Sequence, residues 1–110
     1  MRHHIHTPGE LEAMTPLVRA IVRDLQAAAA SLTAVAFGAV ASSVELLETI
    51  HDCTVELEAL GATVRSVEPP QVEFLAEVEG QIGYVAWAGD GYGAFRTVPV
   101  EMPVVSTVAV

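Results

Sequence analysis

Residues 72–89 read VEFLAEVEGQIGYVAWAG, and their alternation decides the fold class. Val72, Phe74, Ala76 and Val78 alternate with Glu73, Leu75, Glu77 and Glu79, the pattern of a strand with one face buried and one face wet. Gly80-Gln81 has the composition of a two-residue turn, with glycine at its first position. That turn sets Trp87 opposite Phe74 and Val85 opposite Ala76, so the aromatic pair falls on the buried face. Gly89-Asp90-Gly91 then predicts a second hairpin. A three-residue loop there puts Phe95 opposite Val85 and Gly93 opposite Trp87, whereas a two-residue loop would bring Arg96 beside Val85 and expose the phenylalanine. The predicted unit is a three-stranded antiparallel β-meander over residues 72–98.

Upstream the period is helical. Thr7-Pro8-Gly9-Glu10 is a start signal: threonine caps free amides, proline suits the first turn, and glutamate reaches back to the cap. Leu11, Met14, Val18, Ile21, Leu25, Ala28 and Leu32 follow at spacings of three and four, which predicts helix 1 over residues 8–34. Pro16 removes one backbone hydrogen bond, so a short opening turn or a kink is expected near Thr15. Gly38 is the expected turn of a helical hairpin. Ser42-Ser43-Val44-Glu45 repeats the capping pattern, and Leu46, Ile50, Cys53, Leu57 and Leu60 give a second stripe, hence helix 2 over residues 43–60 with Gly61 ending it. The stretch up to Pro69 and Pro70 reads as a linker. Residues 99–110, apolar but punctuated by Pro99 and Pro103, read as an extended tail that covers the helices or reaches a second subunit.

The sum is one α+β domain over residues 1–110: an N-terminal antiparallel helical hairpin packed on a C-terminal three-stranded antiparallel β-meander. A chain of 110 residues buries a single core. With 52% hydrophobic and 17% charged residues it is too apolar for disorder, and self-association is the economical use of the surplus. Five arginines and no lysine stand against fourteen acids, so the net charge of -9 repels a phosphate backbone or an anionic membrane. Leu25 to Val44 carries no charge over twenty residues, but alanine and polar side chains dominate it, which is poor material for a membrane span. Met1-Arg2-His3-His4-Ile5-His6 is polar and lacks an apolar signal region, and the lone Cys53 sits on an apolar stripe. Both features fit a reducing cytoplasm.

The stretch from His6 to Arg96 resembles the bacterial domain-of-unknown-function family 2203. The likeness is carried by Thr7 to Val18 with Leu17 after Pro16, by Val72-Glu73-Phe74, by Gly80, and by Val85-Ala86-Trp87 followed by Gly89-Asp90. It implies a helical hairpin with a small sheet and carries no activity with it. Members of that family often have cysteine before the tryptophan and a Trp-His pair a few residues later; this chain has Ala86, then Phe95 and Arg96.

The candidate chemistry is sparse. Glu48 and His51 have the Glu-x-x-His spacing by which helical bundles direct a carboxylate and an imidazole at one metal. At about 100° per residue they fall away from the Ile50, Cys53 and Leu57 stripe, so a metal would sit there only between subunits. His3, His4 and His6 are a second potential set of ligands for a divalent metal. Glu45, Glu48, Asp52 and Glu56 line the exposed side of helix 2, where Arg19 and Arg23 would meet them across the hairpin or a dimer. Gly89-Asp90-Gly91-Tyr92-Gly93 lacks the following helix of a phosphate-binding loop, and its residues are what a hairpin turn requires. No Ser-His-Asp or Cys-His set stands out. The preferred reading is a non-catalytic, cytoplasmic, homodimeric interaction or scaffolding domain without a cofactor. The alternatives are a metal-binding protein using Glu48 and His51 or the N-terminal histidines, and a small-molecule pocket between helices and sheet near Tyr84, Trp87 and Tyr92.

Overall fold

The computed structural model describes residues 4–34 and 40–97. Two helices, α1 (Pro8–Ala34) and α2 (Val40–Ala59), precede four strands, β1 (Ala62–Val67), β2 (Pro70–Val78), β3 (Gln81–Ala88) and β4 (Gly91–Thr97). The strands form one antiparallel sheet in the order β1-β2-β3-β4. The fold is thus α+β, with one more strand than the alternation predicted. Gly38, His3 and the tail of residues 99–110 lie outside the described residues.

The added strand is β1, which the sequence reading took for a linker. Its pairing with β2 slips between Val64 and Ser66, leaving Arg65 as an extra residue. Val64 and Val67 therefore both pack on the core although three residues apart, and the period-two signal is broken. Pro69 and Pro70 lie between paired Val67 and the body of β2, with Pro70 as its first residue, a place where a missing N–H does no harm.

The first hairpin turns on Glu79 and Gly80, not Gly80 and Gln81. Both residues have positive φ, 53° and 82°, as a two-residue turn matched to strand twist requires. Phe74 consequently pairs with Val85 and Ala76 with Gly83, two residues off the expected register. A shift of two preserves the face, so Val72, Phe74, Ala76, Val85 and Trp87 are all buried. In the second hairpin Val85 does pair with Phe95, but through a two-residue Gly89-Asp90 loop, with Trp87 opposite Tyr92. One residue of β3 there, Ala86, faces two of β4, Gly93 and Ala94, and that bulge supplies the residue assigned to the loop.

The helices cover one side of the sheet. Thr7 Oγ1 accepts from Glu10 N at 3.1 Å and Glu10 Oε1 from Thr7 N at 2.9 Å, the reciprocal cap that starts α1. No separate opening turn precedes Pro16, because α1 is one helix throughout. Leu11 O near that point accepts the hydroxyls of Thr15 at 3.0 Å and Tyr92 at 2.7 Å, which pins the sheet to the helix. Ser43 lies inside α2 rather than before it, since the helix starts at Val40. Leu11, Val18, Ile21, Val22 and Leu25 of α1 and Cys53 and Leu57 of α2 form one core with the sheet. No described helix is long and apolar enough to cross a membrane.

His6 closes the structure. Its N–H donates to Leu75 O at 2.9 Å and its carbonyl accepts from Glu77 N at 3.0 Å, so it continues the row of β1 beside β2 where β1 has not yet begun. The ring, 2% exposed, sits with Nε2 2.8 Å from Leu60 O and Nδ1 3.2 Å from Leu75 O. A neutral imidazole donates to one of these carbonyls, and an imidazolium to both. Gly61, φ 93°, permits the approach: a Cβ there would lie 2.6 Å from His6 Cε1.

On the open face of the sheet Glu73 binds Arg65 at 2.7 Å and Arg96 at 3.1 Å, with both guanidiniums over the Tyr84 ring. Burial pushes the Glu73 carboxyl up, but the hydrogen bonds and charges of Arg65 and then Arg96 outweigh it and hold the group below its usual range. An unfolded chain leaves Glu73 at its ordinary value, so this contribution is present above that value and vanishes as pH falls through the folded one.

Two stability measurements follow from these contacts. Gly80→Ala, with open space around its Cβ, should cost about 1 to 2 kcal/mol for the left-handed backbone. Gly61→Ala should cost about 1 to 3 kcal/mol more, because the buried His6 ring cannot give way. Urea unfolding followed by Trp87 fluorescence compares the two, and equal losses would contradict the His6 contact. In the same assay, lowering the pH from about 6 to about 3 should destabilise the parent more than Glu73→Gln, which has no carboxylate to protonate there.

Candidate functional site

A helix that caps a sheet on one side keeps an outer face, and that of α2 carries exposed aliphatic side chains among its acids. Ile50, Cys53 and Leu57 point inward. At 100° per residue Val44, His51 and Val55 share the outer side with Leu47 on its flank, and Val44, Leu47 and Val55 are 49%, 53% and 48% exposed. Glu48 and His51 are both exposed, three residues apart in the middle of this stripe. The two predicted metal candidates of α2 therefore stay together, exposed on a surface that the other described residues leave uncovered. Among the described residues of one chain, no three His, Cys, Asp or Glu side chains converge as a metal site.

The N-terminal histidines part company. His6 is structural, spent on Leu60 and Leu75. His4 is exposed, its ring edge-on to His6 at 4.3 Å and its Nε2 3.4 Å from Glu10 Oε1. Backbone hydrogen bonding to Thr7 holds the Glu10 carboxyl low, with His4 adding to the effect. These groups border an open cleft of about 760 Å³ that also touches Met14, Glu58 and Thr63. The sequence pointed to its histidines as metal ligands, but no spacing rule shows that a buried ring would be consumed by two carbonyls.

The aromatic pocket expected from Tyr84, Trp87 and Tyr92 is not assembled. Trp87 and Tyr92 pack edge-on at 5.1 Å on the helix side, with Trp87 Nε1 donating to Gly89 O at 2.9 Å. Tyr84 lies on the other side of the sheet between Arg65 and Arg96. Alternation alone separates them, since residues 84 and 87 of a strand have opposite parity. Compared with known proteins, the chain matches no family profile, no curated protein and no solved structure.

Charge completes the picture. Arg19 donates to Asp90 O at 3.0 Å and Arg23 pairs with the Asp90 carboxylate at 2.7 Å, so neither reaches the acidic side of α2 as expected. Arg65 and Arg96 are held by Glu73. All four described guanidiniums are thus engaged, which leaves Glu45, Asp52 and Glu56 flanking the stripe that holds Glu48. Burial first, and then Asp24, Glu56 and Asp52, push the Cys53 thiol up, which keeps it protonated and a poor nucleophile.

Proposed function

We propose that this chain is a non-catalytic, cytoplasmic interaction module that forms a homodimer through the outer face of α2. One observation carries the reading: the exposed stripe is complementary to itself. Val44, Glu48, His51 and Val55 follow at spacings of four, three and four. Run antiparallel about a two-fold axis between residues 49 and 50, the same stripe sets Val44 against the partner copy's valine at 55 and Glu48 against its histidine at 51. Apolar meets apolar, and acid meets base. Leu47 flanks the axis and extends the apolar patch on one side. The alternative surface, the His4 and Glu10 cleft, offers two polar groups already in contact with each other.

A two-fold interface repeats every substitution, so charge at its centre acts twice. Leu47→Glu and Val55→Glu should each weaken the dimer by about 2 kcal/mol or more, roughly 30-fold in the dissociation constant. Sedimentation velocity on the full chain should show a dimer that these variants convert to monomer. Far-ultraviolet circular dichroism should not change, because both side chains are exposed. A parent chain that stays monomeric at tens of micromolar would overturn the reading.

A further inference from the structure

The two-fold pairing places four ligands at one level. Glu48 and His51 are three residues apart, which is about 4.5 Å along a helix. In the antiparallel pair each Glu48 lies level with the partner copy's histidine, and the four side chains surround the axis within that height. We infer that the dimer holds one divalent transition metal of the zinc class on its two-fold axis, between Glu48 and His51 of both copies. This rests on the homodimer reading given above.

The chemistry of the set fits such an ion. Two imidazoles and two carboxylates make a four-coordinate nitrogen and oxygen site of net charge zero with a dication, typical of zinc. The flanking Val44 and Val55 layers would cover it above and below, lowering the competition from water. Both ligands are exposed in the single chain, so neither needs to leave a structural role. A lone chain offers only these two groups here, and no third His, Cys, Asp or Glu joins them among the described residues. Binding and dimerisation should therefore reinforce each other.

The test uses the tag-free full chain with His3→Ala and His4→Ala, which removes the exposed terminal imidazoles and spares the buried His6. Zinc chloride is titrated against a chromophoric chelator, and sedimentation velocity is run with and without the metal. The inference expects one zinc per two chains and a dimer at least tenfold tighter with zinc. It also expects cobalt chloride to give the intense visible bands of a tetrahedral ion. His51→Ala should abolish all three and leave the fold intact. A chain that becomes dimeric only with zinc, and only with His51 present, supports the metal site and overturns the metal-independent homodimer. A dimer that binds no zinc overturns the metal site and leaves the homodimer standing. Zinc uptake that survives His51→Ala also overturns it. A monomer at every zinc concentration overturns both.

Discussion

His6 ties the start of α1 and the end of α2 to strand β2 at one buried point. Its backbone extends the sheet beside β2, and its ring joins the carbonyl of Leu60, the residue just after α2, to the same strand at Leu75. A helix ends with carbonyls that have no partner within the helix, and an imidazole N–H is well suited to that end. The contact fixes where α1 begins, one residue later at the Thr7 cap, and where α2 stops. Gly61 is the counterpart of this arrangement, since it alone allows the ring to lie against the turn into β1. With both helix ends anchored, the rotation of α2 is set by Cys53 and Leu57 entering the core.

Rotation in turn determines function as we read it. Once the inner stripe of α2 is committed to the core, the outer stripe is presented as a whole, with Glu48 and His51 between valines. Val44, Leu47 and Val55, half exposed along one helix, are the apolar surface that the proposed two-fold pair would cover. The arginines reinforce this division. Each described guanidinium is occupied by the sheet or its loop, Arg19 and Arg23 at Asp90, Arg65 and Arg96 at Glu73. The acidic flanks of α2 therefore keep their charge, which disfavours open-ended stacking.

The parts of the fold legible in the sequence were those with an uninterrupted period. The α1 stripe and the alternation in β2 and β3 identified the helices, the buried face and the aromatic core correctly. Where a bulge broke the period the reading failed, at Arg65 in β1 and between Tyr92 and Phe95 in β4. The turn at Glu79 was missed because a glutamate with positive φ has no composition signal, while the adjacent glycine fits either turn position. For the site, spacing located Glu48 and His51 on the exposed side of α2. It did not separate His6 from His4, because their difference arises from contacts more than fifty residues away in sequence.

The central claim is that α2 pairs with itself in antiparallel register, and engineered disulfides test it most directly. In a Cys53→Ser background, chains carrying Val44→Cys and chains carrying Val55→Cys would be mixed and oxidised. The account predicts an efficient cross-link between the two variants and little within either alone, because equivalent positions lie about 16 Å apart along the helices. Cross-linking of Val44→Cys chains to themselves, with none to the Val55→Cys chains, would contradict it.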